Sequence, residues 1–362
     1  MKNNLLLALA LIFSLFATAQ KSGTENVIIV TMDGLRWQEV FQGADSVLTH
    51  DTTAIYSTKH VQRKFWGENE QARRKKLMPF LWSVVVEKGL LLGNRHFKNY
   101  VENANPYWFS YPGYNELFTG YPDTAVNSND KVPNKNESVL GYLNTLPEYK
   151  NKVAVFGSWN VFSSIFNAQS SGLFVNDGFK NVTGTITEKQ QLYNKLQFEL
   201  PDLFKEDERL DAATFNMGFE YMKVNKPKVM FFGLGDTDEF AHAGMYDLYL
   251  DAAQKSDAWI KQLWEYIQST PSYANKTTLI ITTDHGRGVA AGGTWKHHGQ
   301  KIPESKEMWM AAIGPSVKPT GESKQAALVY QGQLAATIAA LLGKEFKPQH
   351  PVLPKLEWKY AR

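Results

Sequence analysis

The stretch that decides the fold is residues 278–286, TLIITTDHG, in which an apolar run ends in an acid, a histidine and a glycine. A short run of apolar and β-branched residues predicts a strand that is buried on both faces of a sheet. Residues 27–34, VIIVTMDG, have the same form, with an Asp-Gly pair after the run. Both stretches therefore predict strands of a central sheet whose ends carry chemically active side chains.

Predicted strands and helices alternate along the rest of the chain. Further apolar runs predict strands at residues 153–156, 229–232 and 308–313. The spacing of apolar residues and the positions of Gly and Pro predict helices at residues 79–88, 206–225, 246–268 and 331–342. This alternation is typical of the α/β class, because right-handed crossovers pack each helix against the sheet. We expect a doubly wound, mostly parallel central sheet with helices on both faces.

The first nineteen residues differ from the rest of the chain. Lys2 precedes an apolar run over residues 5–16, and Ala17-Thr18-Ala19 follows it. The pattern predicts a signal peptide over residues 1–19, since the run is shorter than the roughly 20 apolar residues that a membrane anchor needs. The protein is therefore expected in the periplasm or outside the cell, with one catalytic domain over residues 20–362 and no membrane span after cleavage.

The composition narrows the classes of function. Hydrophobic residues make up 43% of the 362 residues, which is enough for a large core. Lys and Arg number 39 against 36 Asp and Glu, and no window has the clustered basic run that would form a phosphate-tracking footprint, so a nucleic-acid partner is not expected. The chain has no cysteine, which excludes disulfides, thiolate metal sites and a cysteine nucleophile.

Two polar segments interrupt the alternation of strands and helices. Residues 46–76 are rich in charged side chains, and residues 123–137 are rich in Asn, Asp and Pro. Both are interpreted as insertions or caps near one edge of the sheet. For residues 46–76 a solvated surface loop is favoured over a lid above the substrate.

Acids follow three of the predicted strands. Asp33, Asp238 and Asp284 each come after a different strand, and His242 lies four residues after Asp238. Carboxyl ends of parallel strands lie at one edge of a sheet, so these side chains are expected to meet there. Taken singly, Asp238 is better explained as a helix cap with His242 at the surface, and Asp33 could be an N-cap. A lone Asp-His pair such as Asp284-His285 is common.

The histidines make a metal site the better explanation. Half of the eight histidines lie at or just after these strand ends, namely His242, His285, His297 and His298. Carboxylate and imidazole ligands without thiolate suit zinc, manganese or iron. Three acids and three histidines could hold two such cations with an exchangeable position left open.

The order of the short motifs resembles the alkaline phosphatase superfamily, above all its branch of type I phosphodiesterases and nucleotide pyrophosphatases. The motifs that carry the resemblance are Asp33-Gly34, Ser110-Tyr111-Pro112, Thr119-Gly120-Tyr121-Pro122, Asp238 to His242, Asp284-His285-Gly286 and His298-Gly299. The resemblance spans about residues 26–343. The resemblance implies an alkaline phosphatase-like fold and two divalent metal ions, with zinc expected and manganese or another divalent ion as the alternative.

The resemblance also implies a role for individual residues. The ligands implied for the first metal are Asp33, Asp284 and His285, beside the nucleophile Ser110. The ligands implied for the second metal are Asp238, His242 and His298, with His297 as the alternative to His298. His298 is preferred because the late histidine of the family directly precedes a glycine. Asn129 is the candidate for the amide with which the family holds a phosphoryl oxygen, and a turn-forming role is its alternative.

Ser110 has a physical route to reactivity. A serine hydroxyl is a weak nucleophile at neutral pH, and coordination to a divalent cation lowers its pKa. Ser110 is also placed to cap a helix that leads to Thr119, and the two roles are compatible because a helix N-terminus favours an anion. Thr119 is the competing hydroxyl, but it would lie several residues into that helix.

The implied activity is hydrolysis of small-molecule phosphate esters, with phosphodiesters or pyrophosphates first, through a phosphoseryl intermediate on Ser110. A phosphomonoesterase or phosphonate hydrolase is the alternative, and Arg36, Lys131 and Arg287 are the candidates to balance the extra charge of a monoester. A sulfatase is a minor alternative, because Tyr114 stands where the sulfatase signature Cys/Ser-x-Pro-x-Arg has its Arg. A catalytically inactive metal-binding protein is the remaining one.

Aromatic residues crowd the sequence around Ser110. They are Tyr107, Trp108, Phe109, Tyr111 and Tyr114, with Trp159 and Phe162 after the strand at 153–156. Such rings could stack on a flat group of a nucleotide-like substrate. Core packing is the favoured explanation for most of them.

Overall fold

A computed structural model describes residues 23–205 and 207–357, so the predicted signal peptide lies outside the described residues. The strands in this part of the chain are β1 (Asn26–Met32), β2 (Leu90–Leu92), β3 (Asn99–Glu102), β4 (Val153–Gly157), β5 (Phe174–Asp177), β6 (Val229–Leu234), β7 (Thr277–Thr282), β8 (Glu307–Met308), β9 (Met310–Ile313), β10 (Gly321–Glu322) and β11 (Ala327–Tyr330).

Helices of varied length connect these strands. In the described residues they are α1 (Trp37–Gln42), α2 (Thr58–Lys64), α3 (Glu70–Leu77), α4 (Val86–Lys88), α5 (Ser110–Thr119), α6 (Val139–Thr145), α7 (Phe162–Ile165), α8 (Ala168–Ser171), α9 (Glu188–Glu199), α10 (Asp211–Asn225), α11 (Asp236–His242), α12 (Tyr246–Ser269) and α13 (Gln333–Leu341). A π-helical turn at Leu81–Val85 leads into α4. Short 3-10 turns lie at Leu48–His50, Arg95–Phe97, Ala291–Lys296 and Pro303–Lys306.

The central sheet is mostly parallel, which confirms the predicted fold class. Its eight strands within the described residues have the order β10-β2-β9-β7-β1-β6-β4-β5. The five strands from β7 to β5 pair in parallel, whereas β9 is antiparallel to both β7 and β2. Because β1 lies between β7 and β6, the three strand ends that precede the predicted metal ligands lie side by side.

The sheet is buried on both faces. Alternate residues of β1 point to opposite sides, so that Ile28 and Val30 join one hydrophobic cluster while Val27 and Ile29 join the other. Helices α10 and α12 cover the first face, and α5 and α13 cover the second. The continuous apolar runs in the sequence follow from this two-sided burial.

The prediction of one strand over residues 308–313 is wrong. Its first residue, Met308, ends β8 in a separate three-stranded sheet of order β11-β3-β8, and its last four residues form β9 in the main sheet. Trp309 stands between the two strands, and its buried indole donates to the carbonyl of Leu35 at 2.9 Å. An unbroken apolar run could not reveal this change of sheet, because the residues of the run are buried in both.

The helix predictions agree with the structure most closely near the C-terminal end. Helix α12 matches the prediction at 246–268, and α13 matches the prediction at 331–342. The prediction at 206–225 corresponds to α10, which begins later, at Asp211. The prediction at 79–88 corresponds to the π-helical turn together with α4.

Residues 46–76 are largely helical rather than a solvated loop. Helix α2 and most of α3 lie in this segment, and Val61 and Phe65 are fully buried. A few buried apolar side chains therefore anchor a segment whose composition is dominated by exposed charge. Residues 123–137, by contrast, contain no helix or strand, as their turn-forming residues predict. Among the described residues, no helix combines the length and apolar character that crossing a membrane requires.

Candidate metal centre and nucleophile

Local backbone geometry turns the predicted ligands towards one another at the carboxyl edge of the sheet. Gly34, directly after Asp33, adopts a φ of 60°, a conformation that favours glycine, and its N–H donates to Oδ1 of Asp284 at 3.2 Å. Helix α11 begins just after β6 and carries Asp238 and His242 one turn apart. The ends of β1, β6 and β7 thus converge on one small volume.

The first donor group is Asp33, Asp284 and His285, all of which are buried. Nε2 of His285 lies 3.3 Å from Oδ1 of Asp33 and 3.4 Å from Oδ2 of Asp284. Within the described residues, neither of these two carboxylate oxygens accepts a hydrogen bond. Two buried acceptors that lack a donor, beside an imidazole, fit a bound cation.

The second predicted donor group is Asp238, His242 and His298, and in the structure the donor atoms of Asp238 and His298 also meet that of His285. Nε2 of His242 lies 2.9 Å from Nε2 of His298 and 3.0 Å from Oδ2 of Asp238. The rings of His298 and His285 stack with centroids 4.0 Å apart, so the two donor groups adjoin. His297 is exposed and its ring centroid lies 6.4 Å from that of His242, so the geometry favours His298.

The electrostatics of both groups also suit cations. Burial and the neighbouring Asp33 carboxylate hold the pKa of Asp284 well above its usual value. Burial alone would lower the pKa of His285, but the Asp284 and Asp33 carboxylates outweigh it and raise that pKa to about 9. Burial, reinforced by His285, lowers the pKa of His298 well below its usual value, which keeps this ring in its neutral, ligating form. A cation would remove the repulsion between the crowded acids.

The second donor group, together with Asp284 and His285 of the first, lies in the part of the chain that matches a known protein family. Residues 163–346, just over half of the chain, match the family described as the metalloenzyme superfamily. The chain belongs to the metalloenzyme superfamily. The matched region includes Asp238 and His242 from α11, Asp284 and His285 after β7, and His298.

Solved structures with the same fold can be superposed on more than nine-tenths of this metalloenzyme. Alkaline phosphatase PafA has a TM-score of 0.60 at 10% identity, covering 93% of this chain and 99% of that one. A putative sulfatase from Bacteroides thetaiotaomicron has a TM-score of 0.57 at 14% identity, with coverage of 93% and 76%. The lipoteichoic acid synthase LtaP from Listeria monocytogenes has a TM-score of 0.56 at 12% identity, with coverage of 91% and 74%.

These likenesses establish the fold, which is the alkaline phosphatase-like fold that the motifs predicted. No curated protein sequence matches the chain significantly.

Ser110 of this metalloenzyme lies at the edge of the first donor group. It is the first residue of α5, and its Oγ lies 3.3 Å from Nε2 of His285. Phe109 rather than Ser110 occupies the N-cap position, and Phe109 has no side-chain acceptor for the N–H groups of the first turn. Thr119 is directed elsewhere, because its hydroxyl donates to the carbonyl of Asn115 at 2.7 Å. Of the two candidate hydroxyls, only that of Ser110 adjoins a donor group.

Asn129 lies close to the start of α5. Its Oδ1 accepts the backbone N–H of Tyr111 at 3.0 Å, which ties the exposed loop over residues 123–137 to the residue after Ser110. The contact explains how a residue nineteen positions further along the chain can reach the site. With Oδ1 engaged in this way, the side-chain NH2 of Asn129 is the group left to donate to a ligand.

Tyr114 supports the first donor group, a role that the sequence analysis missed. Its hydroxyl donates to Oδ2 of Asp33 at 3.0 Å and lies 3.2 Å from the hydroxyl of Thr31. It lies one helical turn after Ser110, so α5 carries both the hydroxyl beside the site and a donor to an acid of the site. The spacing of four residues was visible in the sequence, but nothing in it indicated that Tyr114 faces the end of β1.

The three candidate cations are engaged with other groups. Arg36 pairs with Glu39 in the core, and Lys131 is half exposed with its Nζ 3.6 Å from Asp207. Arg287 alone among them reaches the metal centre, where it pairs with the acid of the second donor group. None of the three points an unpaired charge at Ser110 in the described part of the chain.

Core packing explains the most buried aromatic residues near Ser110. The rings of Tyr114 and Phe162 are buried, with centroids 4.8 Å apart, and Tyr111 is buried with its hydroxyl donating to a backbone carbonyl. The rings that remain partly exposed are those of Tyr107, Trp108, Phe109 and Trp159. Only these four stay available to contact a substrate.

Proposed function

We propose that this metalloenzyme hydrolyses small-molecule phosphodiesters or pyrophosphates with Ser110 as its nucleophile. The observation that carries the proposal is the position of Ser110 Oγ, 3.3 Å from Nε2 of His285. The hydroxyl adjoins the first donor group, and the stacking of His285 on His298 brings the second donor group next to it. A hydroxyl beside two adjoining cation sites suits phosphoryl transfer through a covalent intermediate.

The proposal includes two divalent cations, with zinc expected from the mixture of carboxylate and imidazole donors. When bound, they supply positive charge that lowers the pKa of the serine hydroxyl and neutralises charge on the transferred phosphoryl group. Asp33, Asp284 and His285 would hold one of them, and the second donor group would hold the other. The unpartnered carboxylate oxygens of Asp33 and Asp284 support this assignment.

Ser110 attacks from the start of α5, where the helix dipole favours an anion. The Oγ–P bond forms as the bond from phosphorus to the leaving oxygen breaks, and the hydroxyl proton reaches the leaving group through solvent. Water then attacks the phosphoseryl group, which regenerates Ser110 and releases a phosphomonoester. Asn129 donates its side-chain NH2 to a phosphoryl oxygen in both steps.

The charge balance of the site supports a diester over a monoester. A monoester dianion carries one more negative charge on its nonbridging oxygens than a diester, and an additional cation is the usual means of balancing it. Arg36 and Lys131 are paired away from Ser110, and Arg287 already balances Asp238. A diester requires no such additional charge.

A sulfatase activity is disfavoured by Tyr114. The sulfatase signature has an Arg at the position of Tyr114, whose buried hydroxyl instead donates to Asp33. Replacing this phenol with a guanidinium would add a charge inside the core cluster that contains Phe162. Export remains part of the proposal and rests on the sequence of residues 1–19 alone.

The test compares initial rates of the zinc-loaded protein, expressed without residues 1–19, on bis-p-nitrophenyl phosphate and p-nitrophenyl phosphate. We expect a higher kcat/KM on the diester, and no activity in Ser110→Ala or in a chelated sample. Thr119→Ala is the matched control, because it removes the other hydroxyl of α5 and should leave the activity intact. Ser110→Thr should retain part of the activity, since it keeps a nucleophilic hydroxyl.

Two results would change the proposal. A preference for the monoester would keep the nucleophile and make the protein a phosphatase. Full activity in Ser110→Ala would exclude the phosphoseryl intermediate and leave direct attack by water.

A further inference from the structure

Arg287 lies behind the second donor group and is fully buried. Its Nη1 pairs with Oδ1 of Asp238, its Nε donates to the carbonyl of Trp295 at 2.9 Å, and its Nη2 donates to the carbonyl of Lys296 at 2.5 Å. The planar guanidinium can make these contacts at once because its donors point in fixed, divergent directions.

These contacts join three separate segments of the metal centre. Arg287 itself follows the acid and histidine after β7, Asp238 belongs to α11, and Lys296 lies two residues before His298. The two carbonyls belong to the turn at Ala291–Lys296, which delivers His298 to the site. One side chain therefore fixes the position of α11 relative to the turn that carries a histidine of the second donor group.

The two oxygens of the Asp238 carboxylate have different partners. Oδ1 faces Arg287, whereas Oδ2 lies 3.0 Å from Nε2 of His242. Oδ1 also lies 3.7 Å from Nε2 of His298. A bond from Arg287 to Oδ1 fixes the rotation of the carboxylate, and so keeps Oδ2 directed at His242 and Oδ1 beside His298. Gly34 leaves space for this pairing, since a Cβ there would lie 2.5 Å from Oδ1 of Asp238 and 2.9 Å from Nη1 of Arg287.

We infer that Arg287 is a positioning residue for the second donor group, holding Asp238 and His298 where a second divalent cation binds. The inference rests on the proposed pair of metal sites. Arg287 donates to no atom of the first donor group within the described residues, so its loss should weaken the second site selectively.

The test is a zinc titration of the apoprotein, followed by calorimetry and by zinc content after dialysis at set free-zinc concentrations. We expect wild type to bind two equivalents. In Arg287→Met the second equivalent should bind about 10- to 100-fold more weakly, as is usual when the partner of a metal ligand is removed, and the first should be unchanged. Activity lost in Arg287→Met should return at high zinc.

Arg36→Met is the matched control. Arg36 is equally buried, pairs with the buried Glu39 and donates to the carbonyl of Gly288, but it touches neither donor group. Both variants therefore remove a buried guanidinium and leave a carboxylate without its cation. A general loss of stability would affect both variants alike, whereas a positioning role predicts weaker zinc binding in Arg287→Met alone.

Arg287→Lys keeps the inference testable if the methionine variant does not fold. Lysine can supply a charge to Asp238 but lacks the forked donors for the two carbonyls, so its second-site affinity should lie between those of wild type and Arg287→Met. The inference would be overturned if either Arg287 variant bound both zinc equivalents with wild-type affinity. It would also be overturned if the wild-type protein bound only one equivalent. A wild type that binds two equivalents but hydrolyses no phosphate ester would refute the proposed function and leave this inference standing.

Discussion

Tyr114→Phe removes a single hydroxyl from helix α5, which carries the proposed nucleophile, and should weaken metal binding at the first donor group. The hydroxyl donates to Oδ2 of Asp33 at 3.0 Å, and the ring that carries it is fully buried. Burial and the carboxylates of Asp284 and Asp33 hold the pKa of Tyr114 well above its usual value, so the phenol remains a donor throughout the accessible pH range.

The magnitude follows from the loss of that donor. Removing one partner of a buried hydrogen bond costs about 1–3 kcal/mol, and loss of the partner of a metal ligand reduces affinity about 10- to 100-fold. The two figures agree, since each factor of ten corresponds to about 1.4 kcal/mol. The affinity for the first zinc should therefore fall by one to two orders of magnitude, as measured by competition with a zinc chelator.

Tyr111→Phe provides the control, because Tyr111 lies on the same helix and also donates a hydroxyl hydrogen bond, but to the carbonyl of Val132. Both variants should lose comparable stability in urea, and only Tyr114→Phe should lose zinc affinity. At saturating zinc, kcat/KM of Tyr114→Phe should recover most of its value. Equal zinc affinities in the two variants would refute the argument that the phenol orients Asp33.

Three further predictions address the helix, the amide and a buried acid. In Gly113→Ala the new Cβ would lie 2.4 Å from the backbone oxygen of Asp284, so α5 must move. The free energy of unfolding should therefore fall by about 1–3 kcal/mol, and the rate of diester hydrolysis should fall as well. Asn129→Asp keeps the acceptor for Tyr111 but loses the NH2 donor, so kcat/KM should fall about 100-fold with unchanged zinc content. Burial raises the pKa of Asp257 to about 7 from 3.8, so the stability that the protonated form contributes is complete below pH 4 and is lost as the pH rises through 7. In wild type the free energy of unfolding in urea should therefore fall by up to about 4 kcal/mol over this range, and in Asp257→Asn this fall should be absent.

The strands that carry the site were predictable because their burial is two-sided. The runs at 27–31, 153–156 and 229–232 lie within β1, β4 and β6, since residues on both faces must be apolar. The same reasoning failed at Trp309, where the chain leaves one sheet for another without a polar residue to mark the break. It also did not predict β5, because this edge strand is partly exposed and its sequence, residues 174–177, is not a continuous apolar run.

The site residues that directly follow predicted strands could be predicted from the sequence, because the order of the strands indicates which residues lie at the same edge of the sheet. Asp33, Asp238 and Asp284 follow strands that the sequence places in one sheet, so their convergence follows from topology. The support from Tyr114 and Arg287 depends on where helix α5 and one turn pack, and no spacing in the sequence reports such packing. The helices of residues 46–76 were missed for a related reason. A few buried side chains, such as Val61 and Phe65, pack this segment against the protein, but the many exposed charged residues dominate its composition.

Helix α5, which carries the proposed nucleophile Ser110, is buried along all ten of its residues. The proposed nucleophile Ser110 therefore belongs to a buried element, whereas the neighbouring loop over residues 123–137 lies largely at the surface. Laboratory evolution of a new substrate preference should accordingly draw its productive substitutions from that loop and from the partly exposed rings of Tyr107, Trp108 and Phe109. Libraries directed at α5 should yield mainly insoluble variants.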